Sequence, residues 1–107
     1  MTTDQLRNVL ACVDQFNIGD RVLGDKMGRY LFRRGGSWQV RAGEYIVNRD
    51  GLCEYEPLPS NRNDDFKERT RFTFREALAL ARQVAIVDLE RIAALEAVAD
   101  VIEGVTA

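Results

Sequence analysis

The amino-acid sequence predicts a single α+β domain, and three stretches carry that prediction. Residues 73–103 contain neither glycine nor proline and are rich in Ala, Leu, Glu and Arg, which favour helix. Residues 19–56 place glycines between short runs of β-branched and aromatic residues, which is typical of antiparallel strands. Residues 2–13 show helical spacing. We therefore expect an N-terminal helix, an antiparallel β-meander of about five or six strands, and a long C-terminal helix packed on the sheet, within one domain spanning 1–107.

The N-terminal helix should begin at a capping motif. Thr2 and Gln5 have the spacing of a capping box, in which each side chain accepts the backbone N–H of the other residue. Apolar residues follow at helical spacing, at Leu6, Val9, Leu10 and Val13. Asn17 and Gly19 are suited to end a helix. These features predict a helix over about residues 3–16.

The glycine-rich middle of the chain predicts a meander. Strands are expected near residues 20–23, 29–34, 37–42, 44–48 and 52–55. Gly35-Gly36 has the composition of a two-residue hairpin turn. Residues 57–65 are polar and predict a loop. Over 66–72, two sets of residues then alternate, Phe66, Glu68, Thr70 and Phe72 on one side and the basic Lys67, Arg69 and Arg71 on the other. This alternation predicts a last strand leading into the C-terminal helix.

The C-terminal helix should begin at a second capping box, formed by Thr73 and Glu76. Asp88 and Arg91 interrupt its apolar face. Two interpretations follow: the helix is continuous and these two side chains pair on its surface, or it breaks and Asp88 caps a second helix. Because no glycine or proline marks a break, we expect the continuous helix.

The C-terminal helix also carries more apolar surface than one small sheet covers. A second copy of the helix would bury this surface in a twofold homodimer. The interface candidates are Val84, Val87, Arg91, Ala94, Leu95, Val98, Val101 and Ile102. The alternative is that the N-terminal helix covers this surface within one chain.

The composition excludes several kinds of chemistry. The sequence has no histidine, which removes the commonest general base and metal ligand. The two cysteines, Cys12 and Cys53, are far apart and lie among apolar neighbours, so we expect small buried hydrophobic side chains rather than a disulfide or a zinc site. No apolar run has the length of a membrane span, and the N-terminus does not resemble a signal peptide. We expect a cytoplasmic protein without a cofactor and without a membrane partner.

The middle of the chain is mildly basic although the net charge is −2. Residues 20–75 hold 12 Lys and Arg against 9 Asp and Glu. Arginines beside aromatic residues on a sheet can bind nucleic acid. The candidates for such a face are Arg29, Tyr30, Arg33, Arg34, Trp38, Arg41, Lys67, Arg69 and Arg71. The alternative is a solvated face whose charges pair with one another.

One part of this pattern is similar to a known family. A meander centred on Trp38, followed by Phe72, Thr73, Glu76, Ala77 and Ala81, resembles the three-stranded sheet plus helix of AP2-like and integrase arm-binding domains over about half of the chain. The resemblance implies nucleic-acid binding by the sheet around Trp38. The chain departs from that pattern in its acidic net charge, its longer helix and its additional N-terminal helix.

The function expected from the sequence is therefore a small non-catalytic binding or adaptor protein that associates with itself. Small acidic domains without motifs are frequent in phage and other mobile elements, where binding is the usual role. Nucleic-acid binding is one alternative. A second is a ligand-binding or isomerase-like protein with a pocket between sheet and helix, for which the candidate residues are Tyr30, Arg41, Glu44, Tyr45, Glu54 and Tyr55.

Overall fold

A computed structural model describes residues 1–23 and 28–106 of the chain. Its first half comprises helix α1 (Thr3–Ala11) and strands β1 (Gln15–Asn17), β2 (Arg29–Arg34), β3 (Ser37–Ala42), β4 (Tyr45–Val47) and β5 (Cys53–Tyr55). Its second half comprises a 3₁₀ turn (Pro59–Asn61) and helices α2 (Asp64–Thr70), α3 (Phe74–Ala81), α4 (Leu89–Ala97) and α5 (Ala99–Thr106). The predicted α+β class is confirmed, with its N-terminal helix, antiparallel sheet and helical C-terminal region.

The sheet is a meander in which each strand pairs antiparallel with the next, in the order β1-β2-β3-β4-β5. Gly35, with a φ of 60°, lies in the tight turn predicted between β2 and β3, a conformation that glycine adopts without strain. Leu31 pairs with Val40, and Val40 pairs with Val47, so these side chains share one face. All three are buried beneath the helices, and we call this the helix face of the sheet.

Helices α3 and α5 complete the core on the helix face. Trp38 of β3 and Phe74 of α3 meet edge to face with ring centroids 5.0 Å apart, and Phe16 of β1 contacts both rings. The buried Trp38 Nε1 donates a hydrogen bond to the Thr106 hydroxyl at 3.2 Å, which ties the end of α5 to the sheet. Helix α1 packs against α5 on the outside of this layer.

A smaller buried group lies on the opposite face of the sheet. Arg41, Ile46 and Glu54 pair across β3, β4 and β5, so their side chains point away from the helix face. Helix α2 covers this end, since Arg69 forms a salt bridge with Glu54 at 2.8 Å and Phe66 is buried, as is Ile46. The second face is therefore covered by α2 near β4 and β5.

The C-terminal region is helical, but the prediction of one continuous helix is wrong. Helix α3 ends at Ala81, α4 begins at Leu89, and α5 follows after an interruption at Val98. The Asp88 carboxylate accepts the backbone N–H of Glu90 at 2.9 Å and caps α4, as the alternative interpretation required.

Residues 82–88 form the linker between α3 and α4, and long-range hydrogen bonds hold this linker in place. The Asp88 N–H donates to the Ile18 carbonyl at 2.8 Å, and the Asp20 N–H donates to the Ile86 carbonyl at 2.9 Å. Ile86 has a φ of 64°, a left-handed conformation that is strained for a β-branched residue. Because the hydrogen-bond partners of the linker lie far away in the sequence, helical periodicity does not indicate that the helix is interrupted here.

The strand predicted over residues 66–72 is also wrong, because most of this segment belongs to α2. The Asn63 side chain accepts a hydrogen bond from the Phe66 N–H at 2.8 Å and caps the helix. The acidic residues of its first turn interact favourably with the helix dipole. Phe66 and Thr70 are both buried and lie four residues apart. That spacing fits one face of a helix as well as one face of a strand.

The strand predicted at residues 20–23 is replaced by a turn, and the first strand lies earlier. The Asp20 carboxylate accepts the backbone N–H groups of Val22 at 2.9 Å and Leu23 at 3.0 Å, which turns the chain. Helix α1 ends at Ala11, before the predicted boundary, and the residues after it form β1 and pair with β2. In the described residues the meander thus has five strands.

Candidate functional site

The residues predicted for a dimer interface do not form one exposed surface. Ile102 is buried in the core, and four others pack partly against it, namely Val84, Val87, Leu95 and Val98. Arg91 lies 3.7 Å from the Asp88 carboxylate, Val101 is half-buried, and Ala94 is exposed. Because α1 also packs against α5, much of this surface is covered within one chain, as the alternative interpretation proposed.

The predicted basic face is divided between the two sides of the sheet. Arg29, Arg33 and Trp38 belong to the helix face by strand register, whereas Tyr30, Arg34 and Arg41 belong to the opposite face. Trp38 is only 1% exposed and its indole N–H is engaged with α5, so it is not available to stack on a base.

Arg33 joins two helix ends to the sheet. Its guanidinium donates to the carbonyl oxygen of Ala11 at 3.2 Å and to that of Val105 at 3.1 Å. These carbonyls lie at the C-terminal ends of α1 and α5, where they have no partner within the helix and where a cation is favoured by the helix dipole. The role of Arg33 is therefore to cap both helices.

Arg34 and Arg41 converge on one carboxylate on the opposite face. Glu56, just after β5, accepts from Arg34 Nη2 at 3.0 Å and from Arg41 Nη1 at 3.0 Å, and Arg62 Nη2 lies 3.5 Å away. The Gln39 Oε1 accepts from Arg34 Nε at 3.3 Å. We call Arg34, Gln39, Arg41, Glu56 and Arg62 the Glu56 cluster.

Burial and the neighbouring arginines act in opposite directions on the pKa of the Glu56 carboxyl. Burial raises the pKa of the Glu56 carboxyl, but hydrogen bonding and the charges of Arg41, Arg34 and Arg62 outweigh burial and lower it. Arg34 lies 4.8 Å above the Phe32 ring, so the aromatic side chain of β2 supports the guanidinium. No local sequence pattern indicates this cluster, because Arg34 and Glu56 are 22 residues apart.

The basic residues of α2 and its end form a second, separate group. Arg69 donates to both oxygens of Glu54, and this lowers the pKa of the Glu54 carboxyl. Lys67 is exposed, and Arg71 is half-buried. Arg69 therefore fits the alternative to a nucleic-acid face, in which the charges of the surface pair with one another.

The free edge of the sheet exposes an uncharged row of side chains. The Tyr45 and Tyr55 rings lie 4.5 Å apart, their hydroxyls are 2.9 Å apart, and the rings are 40% and 63% exposed. Leu52 is 64% exposed and Cys53 is also exposed. We call Tyr45, Leu52, Cys53 and Tyr55 the tyrosine edge. The expectation of buried cysteines is wrong, because both Cys12 and Cys53 are exposed.

A cleft of about 340 Å³ adjoins the tyrosine edge, between the helix face and the C-terminal end of α3. Its apolar lining comes from Ala42, Val47, Cys53, Leu80, Val84 and Ala85. Its polar lining comes from Arg29, Asp50 and Gln83, and the Arg29 Nε donates to the Ala85 carbonyl at 3.1 Å. This volume lies within the range of small-ligand sites.

The cleft does not contain the carboxylate predicted for a catalytic pocket. Glu54 and Arg41 belong to the opposite face of the sheet, where they pair with Arg69 and Glu56. Asp50 is the carboxylate that lines the cleft. Alternation along β5 assigns Glu54 and Cys53 to opposite faces, but which face meets the helices is decided by tertiary packing.

Over residues 1–23 and 28–106, no group of three or more Cys, Asp and Glu side chains is placed to hold a metal ion. Within the same residues, no helix has the length and apolarity needed to cross a bilayer. Comparisons of the chain with protein-family models, curated proteins and solved structures give no significant match.

Proposed function

We propose that this chain is a small non-catalytic binding protein that associates with protein through the tyrosine edge, and that its first partner is a second copy of itself. The observation that supports this proposal most directly is the exposure of Tyr55 and Leu52, 63% and 64%, on and beside an edge strand. An edge strand offers unpaired backbone groups to another strand. A partner at this edge would also remove apolar area from water, at about 25 cal/mol per Å².

The charge of the tyrosine edge favours a second copy as the partner. The chain has a net charge of −2, so two copies repel one another weakly at long range. The tyrosine edge itself contains no Asp, Glu, Lys or Arg side chain, and an edge strand can pair antiparallel with its own copy about a twofold axis. In such a pair the same residues of both copies would become buried together.

The acidic side chains whose pKa is shifted do not have the property expected of a general acid. Backbone or arginine hydrogen bonds lower the pKa of Asp20, Glu54 and Glu76, and arginine partners outweigh burial at Glu56 and Asp88. A carboxyl group that acts as a general acid near neutral pH needs a raised pKa instead.

The nucleic-acid alternative has narrower support. Of its candidates on the sheet, only Tyr30, Arg34 and Arg41 lie together on the face opposite the helix face. Both arginines form salt bridges with Glu56. This alternative predicts retention on single-stranded DNA at low salt that weakens in Arg34→Glu. Absence of retention of the unaltered protein at low salt would exclude it.

Sedimentation velocity over a series of concentrations tests the self-association. We expect a dimer for the unaltered protein and a folded monomer for Tyr55→Asp, because the added carboxylates would be buried against one another in the interface. The matched control is Val9→Asp, an exposed apolar position on α1 that is 51% exposed and should remain dimeric. A monomeric unaltered protein, or equal behaviour of the two variants, would rule out the tyrosine edge as a self-association surface.

A further inference from the structure

The Glu56 cluster has more hydrogen-bond donors than acceptors. The Gln39 Oε1 faces Arg34 and Arg41, and these two donors fix the orientation of the amide. The Gln39 Nε2 and the Arg41 Nε are buried and have no hydrogen-bond partner among the described residues. A buried donor without an acceptor is unfavourable, so each such group in a folded protein calls for an explanation.

The Glu56 cluster also has an excess of positive charge. Three guanidinium groups, from Arg34, Arg41 and Arg62, lie within 3.5 Å of one carboxylate. Arginine does not lose its proton in proteins, so the charge of these groups cannot be relieved by titration. Donor excess and positive charge together favour an anion that offers more oxygen acceptors than the two of the Glu56 carboxylate.

The geometry points to a binding site for a phosphate group on Arg34, Arg41 and Arg62, a site that Glu56 occupies when phosphate is absent. Planar guanidinium forks match the oxygens of phosphate, and several forks can share one phosphate. The Gln39 Nε2 is a neutral donor beside the arginines, and the Arg41 Nε is a further donor on one of them. The shared chemistry is a phosphate group, whether free in solution or within a nucleic-acid strand.

The position of Glu56 in the chain suits a group that exchanges with a ligand. Glu56 directly follows β5, and Arg62 follows the 3₁₀ turn of the next loop. The Arg62 Nε donates to the Pro57 carbonyl at 2.9 Å, so both ends of this loop meet at the cluster. Arg34 and Arg41 are instead fixed on β2 and β3. Phosphate would therefore displace a loop carboxylate from Arg34 and Arg41, which stay in place on their strands, while Arg62 lies in the same loop as Glu56.

The test is an NMR titration with inorganic phosphate that follows the Nε–H resonances of the arginine side chains. In Glu56→Gln the competing carboxylate is gone, and we expect phosphate to bind at least about tenfold more tightly than to the unaltered protein. The matched control is Glu54→Gln, which removes a carboxylate that pairs with Arg69 and Asn48 outside the Glu56 cluster, and it should bind phosphate like the unaltered protein.

Saturable shifts that strengthen in Glu56→Gln and disappear in the double variant Arg34→Gln, Glu56→Gln would support the site. Equal phosphate affinity in Glu56→Gln and Glu54→Gln would overturn it. If Glu56→Gln does not fold, the unaltered protein is compared with Arg34→Gln, and equal phosphate binding by these two would also overturn the site.

A parallel titration with a single-stranded oligothymidylate separates the two sources of phosphate. Tighter binding of the oligonucleotide than of phosphate, with the same dependence on Arg34, would assign the site to a nucleic-acid strand. Binding of phosphate alone would assign it to a free phosphate compound. Failure of both probes overturns the phosphate site and leaves the tyrosine edge as a separate question, because that edge lies on the helix-face side of β5 and is tested by sedimentation.

Discussion

At the scale of single residues, the same amino acid serves two different purposes in this chain. Arg33 and Arg34 are neighbours on β2, and alternation sends their side chains to opposite faces of the sheet. Arg33 meets helix carbonyls, whereas Arg34 meets the Glu56 carboxylate. Composition therefore shows that arginines are present, but only the register of the strand shows what each one binds.

The cap formed by Arg33 predicts a loss of stability on its removal. Arg33→Met should lower the free energy of unfolding by about 2 kcal/mol, because the carbonyls at the ends of α1 and α5 lose a charged donor. Urea denaturation followed by the fluorescence of the buried Trp38 measures this. Arg7→Met, at an exposed position on α1, should change the value by less than about 0.5 kcal/mol. Equal losses in both variants would contradict the capping role.

At the scale of elements, local patterns identified which stretches are helical but did not place their ends. The capping boxes at Thr2 and Thr73 are both present in the structure, so the starts of α1 and α3 follow from local sequence. The end of α3 does not, because the linker that follows is held by hydrogen bonds to residues near β1. A favourable helix propensity is overridden there by tertiary contacts.

The strained conformation of Ile86 predicts that a glycine variant at this position is more stable than an alanine variant, the reverse of the usual order. Ile86→Gly should be more stable than Ile86→Ala by about 1 kcal/mol, since both lose the same side-chain packing but only alanine keeps a Cβ in the left-handed conformation. Urea denaturation of the two variants provides the comparison. Greater stability of the alanine variant would show that the linker does not hold a positive φ in solution.

At the scale of the whole molecule, acidic side chains held by hydrogen bonds and arginines set the dependence of stability on pH. The pKa values of Glu54, Glu56 and Glu76 lie below their ordinary 4.5, and those of Asp20 and Asp88 lie below 3.8. The unfolded chain therefore binds more protons than the folded chain in acid. These groups contribute stability that is present above their unfolded pKa values and is lost as pH falls through the folded values.

We therefore expect the free energy of unfolding to be nearly constant between about pH 6 and 7.5, since the chain has no histidine to titrate there. It should fall once the pH drops below 4.5, the unfolded value for glutamate, and should fall less steeply in Glu54→Gln. Urea denaturation across a pH series measures this. A rise in stability on acidification would contradict the assigned direction of these pKa shifts.

Some of the molecule could be predicted because its causes are local. Alternation and glycine turns indicated β2, β3 and the hairpin between them, and the spacing of apolar residues indicated the N-terminal helix. The strand prediction for residues 66–72 was wrong because the spacing of Phe66 and Thr70 fits both a helix and a strand. Only the Asn63 cap distinguishes the helix from the strand. The grouping of the candidate site residues was harder to predict, because the convergence of side chains depends on strand register and on which face of the sheet is covered.

By itself, the sequence determined the α+β class, the helix starts and the absence of histidine chemistry, since propensity, capping and composition act within a few residues of the chain. Tertiary structure alone decided that Arg33 caps helices, that Arg34, Arg41 and Arg62 surround Glu56, and that α1 packs against α5. Each of these depends on groups brought together from distant positions, where burial and long-range hydrogen bonds outweigh local preference.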